Sequence, residues 1–474
     1  MEFVEIVVIV IALCISCALI PATFLVFRVG KPKNLPPGPT PLPFIGSLHL
    51  LGDQPHQSLA NLAKTHGPIM FLKLGHITTL VISSADAAKQ VLQKQDLVFS
   101  TRHIPDALNA HNHAQSPVVW LPVGAQWRTL RRILNSNIFS TESLDANQHL
   151  RSQKVHELMA YCQRATKSND SVNIGRAAFR TTLNILSNTI FSKDLTDPYE
   201  DSGKEFRELV GDMMVEAGKP NLVFEVFEEL MEERLGMERL KQEEDDVLDV
   251  CLKISEENPD AINGAHIRGM FLDLFVAGTD TTSNTLEWAM TEVLHNPHIM
   301  AKAKKELIEN IGKGKIVEEP DIMRLPYLSC IVKETLRIHP PAAFLIPRKN
   351  ETKVTLNDYT IPKGTQVLVN VWAIGRDPTL WEDSLEFKPE RFLTLGRDVR
   401  GQHFELIPFG AGRRLCPGLP LAVRMLPVIL GSLLNNFDWN LNGGINPEKL
   451  DMTEKFGITL QKAGPLCIIP IPLN

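Results

Sequence analysis

The sequence predicts a mainly α-helical protein with small β-sheets, and three observations support this prediction. Apolar residues recur at helical spacing over several runs, which predict helices at residues 55–66, 144–162, 174–191 and, the longest, 263–295. Short runs rich in valine, isoleucine and threonine, bounded by glycine, asparagine or serine, predict strands near residues 69–74, 78–83, 353–356 and 366–372. No Gly/Ser-rich linker or charge block divides the 474 residues, so we expect one large domain.

The beginning of the chain predicts a membrane anchor. Residues 6–27 carry no charge and, as a helix, would span about 33 Å, enough for the hydrocarbon layer of a bilayer. Two glutamates precede the run, and Arg28, Lys31 and Lys33 follow it, so the positive-inside rule places the bulk of the chain in the cytosol. A cleaved signal peptide would instead need a basic start and a small-residue cleavage site.

The predicted boundaries are an anchor at 1–28, a basic and proline-rich hinge at 29–46, and a large domain at 47–474. The hinge contains Leu35-Pro36-Pro37-Gly38-Pro39, which is stiff and extended. A net charge of −6 provides no basic field for nucleic acid, so no nucleic-acid partner is expected. Of the seven cysteines, Cys14 and Cys17 lie in the predicted anchor, and the other five are widely scattered without a Cys-x-x-Cys pair. This pattern indicates a reducing compartment and argues against disulfides or structural zinc.

A glycine-rich loop at residues 408–418 delivers Cys416 to the start of an apolar, helix-competent run. A thiolate is the form of cysteine that binds metal, and a helix N-terminus and nearby cations favour it. Gly412 and Gly418 have no Cβ, so we expect the backbone there to lie against a flat cofactor. Arg414 is placed to reach an anionic edge of that cofactor. The alternative is a buried structural cysteine after a glycine-rich turn.

The spacing Phe409-x-x-Gly412-x-Arg414-x-Cys416-x-Gly418 resembles the haem-ligating loop of the cytochrome P450 family. Further motifs occur in the family's order: Ala277-Gly278-Thr279-Asp280-Thr281-Thr282, Glu334-Thr335-Leu336-Arg337 and Pro389-Glu390-Arg391-Phe392. Shorter motifs such as His339-Pro340-Pro341 are similar to those of the plant members of the family. They most resemble the motifs of geraniol 8-hydroxylases and alkoxycoumarin O-dealkylases.

The resemblance implies a cytochrome P450 fold behind an N-terminal transmembrane helix, with residues 47–474 as the haem-thiolate catalytic domain. The implied cofactor is haem b, with the Cys416 thiolate as axial ligand to iron. Trp127 and Arg131 share one helix face and suit a carboxylate, here a haem propionate. The full set of implied haem contacts is Trp127, Arg131, Ala277, Arg348, Phe409, Gly412, Arg414, Cys416 and Gly418.

The resemblance also implies roles in the chemistry. Thr281 would donate a hydrogen bond to the dioxygen, and Asp280 would relay protons from water. Glu334, Arg337 and Arg391 would form a buried ion network behind the haem loop. Substrate contacts would come from the loop at residues 101–120 and from Asp273, Ala277, Ala342, Phe344, Ile346 and Ile458.

The implied function is a monooxygenase that hydroxylates or O-dealkylates a small lipophilic plant metabolite, such as a monoterpenol, another terpenoid or a simple phenolic. It would use O2 and electrons from NADPH, delivered by NADPH-cytochrome P450 reductase. Arg128 and Arg132 form either a solvated face or a docking site for this acidic donor. The implied location is the endoplasmic reticulum membrane. The chain would cross the membrane once, contact its lipid, and hold the catalytic domain in the cytosol.

Two alternatives remain open at this stage. A haem-thiolate isomerase or dehydratase acting on hydroperoxides would need no reductase, but it would not need the Asp280–Thr281 pair either. A haem-binding membrane protein with impaired catalysis is the second alternative, because the helices that roof the pocket look shortened near residues 222–223.

Overall fold

The computed structural model describes residues 34–104, 118–197, 232, 234, 246–441, 444 and 446–473. The predicted anchor, the first part of the hinge and the shortened region near residues 222–223 lie outside the described residues. So does most of the loop at residues 101–120.

Helices make up most of the described chain, which confirms the predicted fold class. The α-helices cover Pro55–His66, Ala85–Lys89, Ala125–Ile133, Thr141–Ala146, Gln148–Ser168, Ile174–Phe191, Val247–Glu257, Gly264–His295, Pro297–Asn310, Pro326–Ile338, Val371–Ile374, Arg391–Thr394 and Leu419–Asn436. π-helical turns occur at Gln90–Lys94 and Leu134–Ile138, and 3-10 turns at Leu48–Leu50, Glu319–Arg324, Gly412–Arg414 and Pro447–Lys449.

Twelve strands in four small sheets accompany the helices in the described part of the chain. The largest sheet has the order β1-β2-β8-β5-β3, with β1 at Ile69–Leu74, β2 at Ile77–Ile82, β3 at Thr101–Arg102, β5 at Arg348–Lys349 and β8 at Gln366–Val369. The other sheets are β4 (Val172–Asn173), β12 (Cys467–Pro472) and β9 (Phe437–Leu441), then β6 (Val354–Leu356) with β7 (Tyr359–Ile361), and β10 (Glu454–Lys455) with β11 (Gln461–Lys462).

Local side-chain chemistry explains where elements begin and end. The helix Gly264–His295 begins after Asn263, whose side chain accepts a hydrogen bond from the His266 backbone N–H at 3.2 Å. The strand predicted at residues 366–372 ends at Val369, because Asn370 instead caps the short helix Val371–Ile374. Polar caps therefore set boundaries that the apolar pattern alone leaves undefined.

The helix Gly264–His295, here called the long helix, lies at the centre of the core. Phe271, Phe275 and Met290 on it are fully buried. It packs closely on Ile174–Phe191, and Gly278 makes this approach possible, since a Cβ there would lie 2.8 Å from Leu186 Cδ1. Ala277 is nevertheless exposed in the middle of the helix, so its face borders an opening in the interior and carries the site described next.

Candidate active site

The cysteine loop, residues 408–418, leads directly into the core helix Leu419–Asn436. The Cys416 backbone N–H donates to the Phe409 carbonyl at 3.0 Å, which closes the loop. Gly412 has φ of +70°, and a Cβ there would lie 2.0 Å from the Leu92 carbonyl oxygen. Glycine is therefore required at 412 to pack on the turn Gln90–Lys94, a different reason from the expected contact with a cofactor.

Electrostatics distinguish Cys416 from the cysteines of the apolar core. Burial raises the pKa of its thiol, whereas the backbone N–H groups of Gly418 and Leu419 and the Arg131 guanidinium lower it. Burial raises the pKa of Cys162, in the core, to about 12, even though the Arg180 charge and a backbone hydrogen bond act to lower it. Because a coordinated metal deprotonates a thiol, the donors around Cys416 suit it to be a thiolate ligand.

Four arginines gather beside the cysteine loop: Arg102, Arg131, Arg348 and Arg414. Burial lowers the pKa of all four, to about 10 for Arg348 and Arg414. Their mutual repulsion adds to this effect, and the pKa of Arg102 is lowered by each of the other three. The pairing of β3 with β5 places Arg102 directly opposite Arg348, an arrangement that is unfavourable for like charges.

These guanidinium groups donate to backbone carbonyls. The charge of Asp273 acts on Arg102 and that of Asp96 acts on Arg348, but neither carboxylate is hydrogen-bonded to them. Arg102 Nη1 donates to Ile346 O at 2.8 Å and Arg414 Nε to Ser100 O at 2.9 Å. Arg131 Nη2 donates to Leu415 O.

Arg348 is the least satisfied member of this cluster. Its Nη2 lies 3.5 Å from Ala411 O, and its buried Nε has no hydrogen-bond partner. Within the described residues, no carboxylate accepts a hydrogen bond from any of the four arginines. The two propionates of a haem fit such a cluster, because they would supply carboxylates that accept hydrogen bonds from the guanidinium groups.

The aromatic partner of this cluster is Trp127. The Arg414 guanidinium carbon lies 5.0 Å from the centre of the Trp127 ring, within the range of a cation–π contact. Trp127 and Arg131 lie on the helix Ala125–Ile133, and the structure brings both of them to Arg414 and the cysteine loop. Arg128 and Arg132 on the same helix are exposed.

The proposed oxygen residues lie on the long helix. Thr281 is half-buried, and its hydroxyl donates to the Ala277 carbonyl at 2.6 Å. Asp280 is buried, and its carboxylate is bonded by Thr459, Gln461 and Asn284. The sequence did not indicate these partners.

The proposed substrate residues fall into two groups. Ala342, Phe344 and Ile346 are partly buried in the turn before β5, and Ile458 is 63% exposed near the C-terminus. Asp273 instead accepts a hydrogen bond from the Val119 backbone N–H at 2.9 Å, and burial raises its pKa to about 7.

This contact gives Asp273 a definite structural task, because it anchors the end of the loop that the sequence predicted above the pocket. The same loop end receives a second contact, since Arg102 Nε donates to the Val119 carbonyl at 3.3 Å.

The structure brings Glu334, Arg337 and Arg391 together. Arg337 Nε and Nη2 each donate to the Glu334 carboxylate at 2.7 Å, and Arg391 Nε donates to it at 3.1 Å. Glu334 and Arg337 are fully buried. Trp381 lies beneath both guanidinium groups, with ring distances of 5.2 and 6.0 Å.

Sequence reasoning missed Arg102. It belongs to a two-residue strand in a region without periodic pattern, so only its pairing with β5 reveals its place. The available signal was an arginine next to the loop expected to cover the pocket.

Comparison with known proteins agrees with this geometry. The family model "Cytochrome P450" matches residues 36–227 and 220–467. A 7-ethoxycoumarin O-deethylase of Helianthus tuberosus is 63% identical over 474 residues, which cover 95% of this chain and 96% of that protein. A geraniol 8-hydroxylase of Catharanthus roseus is 62% identical over 468 residues, which cover 94% of this chain and 95% of that protein.

Solved structures support the fold. A zebra fish cytochrome P450 solved with progesterone superposes with a TM-score of 0.77 at 24% identity, over 88% of this chain and 99% of that chain. The chain therefore belongs to the cytochrome P450 family.

Proposed function

We propose that this cytochrome P450 is a membrane-anchored haem-thiolate monooxygenase that hydroxylates or O-dealkylates a small lipophilic plant metabolite. One observation carries the proposal: Cys416, surrounded by N–H donors, lies beside four arginines, three buried and one half-buried, that donate to backbone carbonyls and to no carboxylate of the described chain. A haem with two propionates matches both features.

The substrate class rests on the relatives. Three relatives above 60% identity over nearly the whole chain are named for 7-ethoxycoumarin or geraniol, and a geranylhydroquinone 3''-hydroxylase of Arnebia euchroma is 52% identical. These names describe a phenolic ether, a monoterpenol and a prenylated phenol. We infer that this chain takes a monoterpenol or a simple phenolic of similar size.

A bound haem would supply the activation of oxygen, and the residues of the chain would do the rest. Cys416 would hold the iron, while Trp127, Arg131, Arg348 and Arg414, together with Arg102, would bind the propionates. Phe409 and Gly418 would support the ligand loop. Thr281 would donate a hydrogen bond beside the reacting oxygen, and Asp280 would supply protons to that position.

The substrate would lie against the exposed face of Ala277. Ala342, Phe344, Ile346 and Ile458 would line its apolar part, which excludes water from the reaction. Asp273 would affect the substrate indirectly, because it fixes the end of the loop at Val119.

The alternatives receive less support. The relatives above 60% identity are named as hydroxylases or deethylases, not as isomerases, and Asp280 and Thr281 are both present for proton delivery. The shortened region at residues 222–223 coincides with the place where the two family-model segments meet, at 220–227. A loss of catalysis there is tested by the experiment below.

The helix Ala125–Ile133 and the N-terminal apolar run support the proposed electron donor and membrane location. Arg128 and Arg132 are exposed on the helix that also carries the haem residue Arg131, so an acidic reductase docking there would approach the cofactor. We infer attachment to the endoplasmic reticulum through residues 6–27 from their apolar composition. Among the described helices, Leu419–Asn436 alone has the length and composition to span a bilayer, but 67% of it is buried in the protein, as in a core helix.

The test is reconstitution of the full-length chain in lipid with NADPH-cytochrome P450 reductase. We expect the thiolate absorption band in the reduced, CO-treated state, and NADPH-dependent product from 7-ethoxycoumarin or geraniol. Cys416→Ser should abolish the band and the product together. A protein without haem, or one that turns over hydroperoxides without NADPH, would contradict the proposal.

A further inference from the structure

The Asp280 carboxylate is held by a set of donors that belongs to a distant part of the chain. Thr459 Oγ1 donates to Asp280 Oδ2, and Gln461 Nε2 lies 3.3 and 3.2 Å from Oδ1 and Oδ2. Asn284, one turn along the same helix, donates to Oδ2 at 3.2 Å. Asp280 is only 7% exposed, so these donors, not bulk water, solvate its charge.

Thr459 and Gln461 belong to what we call the C-terminal turn, residues 456–461. On one side of it, the Leu466 backbone N–H donates to Glu287 Oε1 of the long helix at 2.7 Å. Within the turn itself, the Leu460 backbone N–H donates to the Pro341 carbonyl at 2.7 Å. The turn is thus fixed by bonds that do not involve Asp280.

A buried polar cluster around His339 adds a further attachment. His339 Nδ1 lies 3.2 Å from Glu454 Oε1, just before the turn, and its Nε2 lies 2.7 Å from Glu292 Oε1 on the long helix. The His339 ring also stacks on Trp288 at 3.8 Å. The chain on both sides of the turn is therefore tied to the helix that carries Asp280.

We propose that Thr459 and Gln461 are positioning residues for proton delivery. They hold the Asp280 carboxylate in one orientation, next in sequence to Thr281, whose hydroxyl points instead to the Ala277 carbonyl. The Thr459 hydroxyl also receives a hydrogen bond from Gln461 Nε2 at 3.2 Å, so Gln461 fixes the hydroxyl as well as the carboxylate. The inference rests on the proposed monooxygenase function.

The position of Asp280 would decide whether the electrons from NADPH end in hydroxylated product or in hydrogen peroxide. In the productive reaction, O2, two electrons from NADPH, two protons and the substrate R–H give R–OH and water. If Asp280 is misplaced, the same two electrons and two protons reduce O2 to hydrogen peroxide, and R–H is unchanged. The ratio of product to peroxide therefore reports on positioning, whereas a general loss of folding lowers both.

The test uses the full-length chain with reductase, lipid and 7-ethoxycoumarin. Thr459→Val removes the hydroxyl at nearly constant shape, Thr459→Ser retains it, and Gln461→Met removes the amide. Thr453→Val is the matched control, since the Thr453 hydroxyl bonds Asp451 on the same C-terminal segment and has no contact with Asp280. Product, peroxide and NADPH are measured together with the reduced-CO spectrum and the substrate-induced spin shift.

We expect Thr459→Val to lower product per NADPH about tenfold and to raise peroxide, because a hydrogen bond to a buried charge is lost. Gln461→Met should act in the same direction, and Thr459→Ser and Thr453→Val should behave as the wild type. The spin shift should be the same in all variants. If Thr459→Val does not retain haem, Gln461→Met decides.

Two results have distinct meanings. Wild-type protein that forms no product overturns the proposed function. Wild-type protein that forms product, with Thr459→Val or Gln461→Met coupled as tightly as Thr453→Val, overturns this inference alone.

Discussion

The replacement Glu334→Gln tests the ion network most directly. Glu334 is fully buried and accepts from Arg337 twice at 2.7 Å, from Arg391 at 3.1 Å and from the Lys388 backbone N–H at 2.7 Å. Glutamine has nearly the same shape, but it removes the negative charge and turns an N–H2 group toward donors. Two buried guanidinium groups would then lack a counter-charge.

The expected cost follows from this geometry. Removing one member of a buried ion pair costs roughly 3–5 kcal/mol, since the remaining charge stays desolvated. The entropy of unfolding is about 2.1 cal/mol/K per residue, which gives about 1 kcal/mol/K for 474 residues. We therefore expect the melting temperature to fall by about 3–5 °C and less haem to be retained per chain.

The matched control is Glu309→Gln, the same replacement in an exposed pair. Lys305 Nζ lies 3.9 Å from Glu309, and the two side chains are 74% and 61% exposed. This pair should contribute no more than about 1 kcal/mol. Thermal unfolding and haem content would be measured for both variants. Equal shifts in the two variants would refute the reasoning, because burial would then have no bearing on the cost.

Three further predictions concern the candidate site. Arg102→Met should leave the haem-free protein as stable as the wild type or more stable, because it relieves repulsion from Arg348. The same variant should lose haem to an acceptor globin faster than the wild type. Equal rates of haem loss in the variant and the wild type would contradict the role of this cluster. Thr281→Ala should raise peroxide at the expense of product, and unchanged coupling would refute the proton role. Burial raises the pKa of Asp273 to about 7 in the folded protein, above the value of about 3.9 in the unfolded chain. The protonated carboxyl group therefore contributes its full stabilisation below about pH 3.9, and this contribution is lost as the pH rises through about 7. Asp273→Asn should remove this dependence, so wild type should lose stability relative to the variant from pH 4 to about 7 in melting curves; parallel curves would contradict it.

The sequence allowed accurate prediction of elements with a strong local signal. The helices at residues 55–66, 174–191 and 263–295 agree with the structure within one residue, because apolar spacing and capping residues coincide there. The helix predicted at 144–162 divides at Asn147, whose side chain bonds the Ser143 carbonyl at 3.0 Å and ends the first part.

The parts of the candidate site that lie within one short sequence motif could be predicted from the sequence. The cysteine loop and the pair Glu334–Arg337 are of this kind. The position of Arg102 opposite Arg348 and that of Thr459 on Asp280 depend on residues 246 and 179 positions apart, as β-pairing and tertiary packing bring them together. No local pattern contains such contacts, so they emerged only from the fold.

The opposed arginines of β3 and β5 have a consequence for how the protein matures. The edge strand of the main sheet pairs with a like charge opposite it, so its docking carries an electrostatic cost that a bound anion would lower. If haem binds here as proposed, assembly of this corner would be linked to the supply of that prosthetic group. Chains synthesised faster than the cell makes porphyrin would retain an open sheet edge, which quality-control proteases can recognise.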